Sequence, residues 1–322
     1  MSLLDRLEKE TSNCRVKHCH LPTTPTGGRG CDWYRPLILH PNMSVVFITG
    51  CSNGGIGAAL CRSFLAGGHI VYATARSLEA MSDLVHDNVR KLVVDVTDDS
   101  SVEKGVEQVY AETEGIDILV SNAGYSHIGP LLDTPFEEGM KVVQTNFFGF
   151  VRLVKNVVPR MGKRGKGTVV AIGSILGELA TPFQGFYNAS KAALHSYTET
   201  LCMECQPIGV QVSLIAPGSI RSNISVKSAY TVPEGSFYTK LEKQIKHVMY
   251  QSQTTEYGVM DTDQFANIVV EKISSPTPPQ YLTLGGFTTR WWILKWLRRT
   301  TAEALIWTMA QKEPKPGSYG PM

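Results

Sequence analysis

Short apolar runs recur along the chain from Val45 onward, and between most of them apolar positions return every three or four residues. The runs Val45–Ile48, Ile70–Thr74, Leu92–Val94, Ile116–Ser121, Thr168–Ile172, Val210–Ile215 and Tyr281–Leu284 predict buried strands. The segments around 98–113, 136–161, 184–206 and 261–274 predict amphipathic helices. Alternation of this kind calls for a parallel sheet, because a helix must carry the chain back before each new strand. The expected fold class is α/β, a doubly wound parallel sheet forming one catalytic domain over residues 43–286. Residues 1–42 show no period, with Pro, Gly and Thr interleaved at Leu21–Gly28, and are expected to be a disordered or loosely attached extension. Met43, just before the first strand, is a candidate true or alternative start. Residues 287–322 are expected to form an amphipathic C-terminal tail outside the domain.

The first strand runs directly into Thr49-Gly50-Cys51-Ser52-Asn53-Gly54-Gly55-Ile56-Gly57, and helical spacing resumes through Ala58, Leu60, Phe64 and Leu65. A strand passing through glycines into a helix start offers bare N–H groups and the positive end of a helix dipole to a pyrophosphate. A tight turn alone would also use glycines, so this loop gains its meaning from what lies downstream. A chain of 322 residues with a net charge of +2 has no general affinity for nucleic acid. Its seven cysteines show no paired framework, which suits reduced thiols in a cytosolic compartment. The cluster Cys14, His18, Cys19, His20 lacks a second half at ligand spacing, so no metal site is expected. No apolar segment of the secretory type opens the chain.

Chemistry concentrates in Tyr187-Asn188-Ala189-Ser190-Lys191, which places a phenol and an ammonium four apart on one helix face. Ser174 follows the apolar run Thr168–Ile172, at a strand end where an open α/β sheet holds its ligand. A phenol titrating near 10 is a poor acid or base at neutral pH, and a neighbouring ammonium is expected to favour the phenolate. A serine hydroxyl can hold a substrate oxygen beside the phenol. Such a trio serves proton transfer at a carbon exchanging hydride with a nicotinamide.

The ordered set Thr49-Gly50…Gly55-Ile56-Gly57, Asp95, Asn122-Ala123-Gly124, Asn146, Ser174, Tyr187…Lys191 and Pro217-Gly218 resembles the short-chain dehydrogenase/reductase family over roughly residues 44–290. The resemblance implies a Rossmann fold and a dinucleotide cofactor. It implies that Tyr187 is the acid/base, that Lys191 tunes it and holds the nicotinamide ribose, and that Ser174 stabilises the substrate oxygen. It implies that Asn146 anchors a relay water and that Asp95 contacts the adenine. Gly50, Ser52, Ile56 and Asn122 would line the cofactor crevice, with Ile220 and Ser222 on the carboxamide and Lys155 as a basic neighbour. One departure stands out: Gly50 and Gly55 enclose four residues where the family usually has three. Read without the resemblance, Asp95 could cap the next helix, Lys155 is more simply a solvated helix lysine, and His127 and His195 carry no role in such a mechanism.

The second strand ends Ala73-Thr74-Ala75-Arg76, with a guanidinium where NAD-specific folds place an acid. An arginine fork suits a phosphate, so NADPH/NADP+ is the expected cofactor. The tail, with Trp291, Trp292 and Trp296 among Arg290, Lys295, Arg298 and Arg299, reads as an interfacial helix rather than a spanning one, or equally as a helix packed on the catalytic domain or on a second subunit. Together with the glycine loop it is similar to the fungal acyl-dihydroxyacetone-phosphate reductases. That similarity implies reduction of a lipid ketone at an endoplasmic reticulum or lipid-droplet surface. Open alternatives are a secondary-metabolite ketoreductase, a hydroxysteroid- or retinol-type dehydrogenase, and a non-catalytic binding protein on the same fold. The expected ligand is an apolar ketone or alcohol, and a homo-oligomer stays open. The segment 223–260, with Tyr230, Phe237, Tyr238, Ile245, Val248 and Met249, is expected to cover the substrate.

Overall fold

A computed structural model of the chain describes residues 43–222, 230–250 and 258–311. The readings made above for residues 1–42, for Cys14–His20 and for parts of the covering segment and the tail lie outside these residues. Seven parallel strands form one sheet: β1 (Val45–Thr49), β2 (Ile70–Ala75), β3 (Val89–Val93), β4 (Ile118–Ser121), β5 (Gly167–Ile172), β6 (Val210–Pro217) and β7 (Tyr281–Leu284). Their order is β3-β2-β1-β4-β5-β6-β7. The chain winds outward from β1 to β3, then returns to lay β4 beside β1, so the order reverses between those two strands. That reversal opens a crevice at the carboxyl ends of the strands.

The alternation of side chains along β1 sorts the core into two layers. Val46 and Ile48 pack with α1 (Ile56–Ala66) and with a later helix carrying Phe265 and Val269. Phe47 points the other way, into a layer with α2 (Asp99–Glu112) and two more helices. Asp98 caps α2, accepting from the N–H groups of Ser100 and Ser101. The expected helix over 136–161 is three pieces: α3 (Phe136–Val143), a π turn over Gln144–Phe148, and α4 (Gly149–Arg164). α4 buries Phe150, Leu153, Val154, Val157, Val158 and Met161, the stripe its period predicts. α5 (Gly185–Cys205) carries the Tyr187–Lys191 pair. Then come α6 (Glu242–Tyr250) and α7 (Thr262–Ile273), the latter capped by Asp261 and supplying Phe265 and Val269.

Of the two readings of the tail, the structure has the helix packed on the catalytic domain, in two pieces and not one. These are α8 (Thr288–Trp296) and α9 (Arg299–Ala310), broken at Leu297–Arg298. Both pack on the sheet domain: Trp291, Leu294 and Ile306 share a buried cluster with Ile175 and Leu179. Ala310 joins Ile128, Phe183, Ile245, Val248 and Met249 in another. Indole and aliphatic side chains already have apolar partners here, and this burial draws α8 and α9 into the domain.

Candidate active site

The candidate cofactor residues other than Lys155 and the α5 pair Tyr187 and Lys191 lie just beyond the carboxyl end of a strand or at the start of α1. Gly50 follows β1 with φ +72°, and a Cβ there would meet the Ala123 Cα at 2.7 Å. A Cβ on Gly57 would meet the Gly50 oxygen at 2.4 Å, so the helix start lies against the strand only because both are glycine. The one-residue-longer loop turns at Gly54, φ +70°, and α1 then begins behind Gly55 without a side-chain cap. Asn122 binds the loop from below: its amide donates to the Thr49 oxygen at 2.9 Å and the Gly50 oxygen at 3.1 Å. The Thr49 hydroxyl accepts from the Asn122 and Ala123 N–H groups, both at 3.1 Å. Asn122 is thus a brace for the loop as well as a crevice residue, and Thr49 is a partner that the motif reading passed over.

Arg76, exposed at the tip of β2, and Asp95, two residues beyond β3, both line the same cavity of about 1180 Å³. Asp95 does not cap α2, since Asp98 does. Its carboxylate accepts from the Thr97 N–H and hydroxyl, which fixes it at the cavity wall. Gly50, Ser52, Ile56, Asn122, Ile220 and Ser222 also face this space. An uncapped helix start, two glycines with no room for a side chain, and an exposed guanidinium at the β2 tip fit a dinucleotide bearing a ribose phosphate. Lys155 is a solvated helix lysine, the plainer of the two readings of that position. It stands on the exposed side of α4, away from the cavity wall, because its position in the helix period falls opposite the buried stripe.

Ser174, Tyr187 and Lys191 meet at the cavity floor. The Ser174 hydroxyl is hydrogen-bonded to Tyr187, and it accepts from the Leu176 N–H at 3.2 Å. The Lys191 ammonium is buried, donates to the Ile172 oxygen at 2.8 Å and lies 5.8 Å from the Tyr187 ring centroid. Burial pulls its pKa down to about 8. The Tyr187 phenol is raised above its ordinary value by burial, opposed by the Ser174 hydrogen bond. Burial outweighs that hydrogen bond, and the lowering expected from the ammonium does not emerge, since the Lys191 ammonium is turned toward the Ile172 oxygen.

Asn146 sits in the π turn with its side chain fully engaged. Its oxygen accepts from the Tyr125 N–H at 2.8 Å, and its amide donates to the Tyr125 oxygen and the Ser190 hydroxyl, both at 2.9 Å. These bonds tie α3–α4 to α5 behind the reactive trio.

The far end of the cavity is apolar. Val248 and Met249 from α6, Phe287 and Trp291 at α8, and Ile306 and Met309 from α9 wall it. The turn after Ser174 is gripped from this side. The Trp291 indole donates to the Ile175 oxygen at 2.6 Å, and Lys295 pairs with Glu178 at 2.9 Å. Trp291 belongs to the site, and only its i, i+3 relation to Leu294 signalled an inward face.

A family profile described as short chain dehydrogenase matches residues 44–231. An NADPH-dependent 1-acyldihydroxyacetone phosphate reductase of Schizosaccharomyces pombe is 39% identical over 206 residues, covering 62% of this chain and 69% of that protein. A short-chain dehydrogenase of Penicillium ochrochloron is also 39% identical, over 62% of this chain and 74% of its own. A 3-ketodihydrosphingosine reductase of Bacteroides thetaiotaomicron is 40% identical over 56% of this chain and 65% of its own. Among solved structures, a short-chain dehydrogenase from Streptomyces avermitilis superposes with TM-score 0.69 at 28% identity, covering 83% of this chain and 95% of that one.

Proposed function

Since this chain belongs to the short-chain dehydrogenase/reductase family, and is therefore an oxidoreductase, we propose that it reduces a ketone on a lipid-like substrate to the alcohol with NADPH. Acyl-dihydroxyacetone phosphate is the leading candidate, in keeping with the relative from Schizosaccharomyces pombe. One observation carries the reading: Ser174, Tyr187 and Lys191 stand where a polar crevice opens into an apolar chamber walled by α6, α8 and α9.

The loop Gly50–Ile56 and the start of α1 would hold the pyrophosphate, Arg76 the ribose phosphate, Asp95 the adenine, and Ile220 and Ser222 the carboxamide. NADPH, when bound, supplies the hydride. Ser174 hydrogen-bonds the carbonyl oxygen and aligns it with Tyr187, whose hydroxyl releases its proton to that oxygen as negative charge develops. Lys191, its pKa lowered to about 8 and so still mostly protonated at neutral pH, steadies the phenolate that remains. The relay role of Asn146 falls to its main chain within the π turn, because the side chain is committed to Tyr125 and Ser190.

The outward face of α8 and α9 exposes Trp292, Ile293, Trp296, Leu297, Leu305 and Trp307. Among the described residues no helix is long and apolar enough to cross a membrane. The face suits shallow seating on a lipid surface, with Arg290 and Arg298 reaching headgroups. NADPH oxidation by purified full-length protein tests the function. The panel is 1-palmitoyl-dihydroxyacetone phosphate, 3-ketodihydrosphingosine, a steroid ketone, retinal, and short polyketide ketones. Preference for the long-chain lipid ketones supports the reading. Turnover confined to the polyketide ketones would replace it with secondary-metabolite chemistry.

A further inference from the structure

We propose that His195 is a positioning residue for the reactive serine, a role resting on the reading of Ser174 above. The Ser174 N–H donates to His195 Nε2 at 3.2 Å, and both residues are buried. The imidazole comes from α5, one turn beyond Lys191, and lies beneath the turn that starts at Ser174.

The chain has made room for this ring on both sides. A Cβ on Gly173 would sit 2.3 Å from His195 Nε2, and a Cβ on Gly177 would sit 2.9 Å from both Cε1 and Nε2. Neither glycine has positive φ, so the space, and not backbone freedom, is what these positions supply. The slot closes on its outer side with Tyr281, whose ring meets the imidazole edge-on at 6.3 Å between centroids. Lys295, Glu178 and Glu199 surround the shallow recess behind it.

The arrangement answers a need of the chemistry. Ser174 leaves the end of β5 in extended conformation, φ −171° and ψ 149°, where its N–H has no strand partner. Its neighbours are tied: the Gly173 N–H goes to the Ile215 oxygen at 2.7 Å, and the Ile175 carbonyl takes the Trp291 indole. The imidazole nitrogen is the acceptor that completes the set and fixes the direction in which the Ser174 hydroxyl faces Tyr187. An acceptor at this place must be unprotonated, so the ring is the neutral Nδ1–H tautomer.

The test compares wild type, Ser174→Ala, His195→Leu and His195→Gln, using the panel ketone that wild type reduces fastest. His195→Leu keeps the bulk and removes the acceptor, whereas the glutamine oxygen can stand near the Nε2 position. The expected result is a kcat reduced about ten- to hundredfold in His195→Leu, with KM and NADPH affinity within about twofold of wild type. His195→Gln should recover most of the loss at equal thermal stability. Normal kcat in His195→Leu, or equal loss in both variants, overturns the role. Full activity in Ser174→Ala would instead remove the reading on which it rests. Nitrogen-15 spectra of histidine-labelled wild type give an answer without any substrate. Nε2 should be unprotonated at pH 7, and a protonated Nε2 would mean that the ring is not the acceptor.

Discussion

On α5, burial moves an acid and two bases in opposite directions: the Tyr187 phenol rises, Lys191 falls to about 8, and His195 falls to about 4. For His195 burial is the largest cause, followed by the charges of Lys191 and Lys295. An imidazole that titrates near 6.5 when unfolded and near 4 when folded binds fewer protons in the native state across that window. Its contribution to stability is whole above about pH 6.5 and is lost as pH falls toward 4, on the order of 3 kcal/mol in all. Urea midpoints of wild type measured from pH 7 to 4.5 should therefore fall more steeply than those of His195→Gln, and parallel slopes would count against the depressed pKa. Tyr187→Phe should lower turnover by about a hundredfold or more while NADPH affinity, read by fluorescence titration, stays close to wild type. Arg76→Ala should weaken NADPH by about 1.5–3 kcal/mol and NADH much less, because only the former offers a phosphate to the guanidinium. Equal losses for the two cofactors would reduce Arg76 to a surface residue.

Among the elements, those whose periodicity is set by burial were legible in the sequence. Parallel strands covered on both faces read as continuous apolar runs, and α4 buries the stripe its spacing predicts. Ser174, Tyr187 and Lys191 were legible too, because strand end and helix face place them by local rules. Partners made by tertiary approach were not. The π turn exists where Asn146 clasps Tyr125, 21 residues earlier, and no local pattern marks that clasp. His195 was read as idle because its partner is a main-chain N–H, which the sequence does not display. The tail's aromatics and cations suit a headgroup region as well as a packed face, so its sequence leaves the two readings level. In the structure Trp291 and Leu294 face inward and Lys295 serves Glu178. Trp291→Ala should consequently destabilise the fold by about 3–5 kcal/mol in denaturant unfolding, a buried-aromatic loss rather than a surface one. A loss under about 0.5 kcal/mol would return α8 to the role of a mere appendage.

At the scale of the molecule, α8 and α9 form a wall with two faces, one toward the chamber and one toward solvent. The outward face carries fewer anchors than the sequence offered, since Trp291 and Lys295 are committed within the domain and Arg299 pairs with Glu303 at 3.2 Å. What remains should still hold the full-length protein on anionic vesicles at low salt, each cation adding about 1 kcal/mol near the surface. Sedimentation with phosphatidylserine-containing vesicles should weaken as salt is raised, and more so in the double variant Trp292→Ala, Trp296→Ala. Protein that stays in the supernatant at low salt would remove the membrane from the account. The wall's inner face has a further consequence, one of timing. The bond from Trp291 to the Ile175 oxygen spans 116 residues of chain, so a ribosome must make more than a hundred residues after Ser174 before the turn beside it can be gripped. Through that interval the nascent protein can complete β1 to β6 and the nucleotide loop while its reactive serine still lacks that support. A chain halted or clipped between β7 and α8 would keep the crevice for the nucleotide and lose the chamber for the ketone. Such a fragment would sequester reducing cofactor without using it.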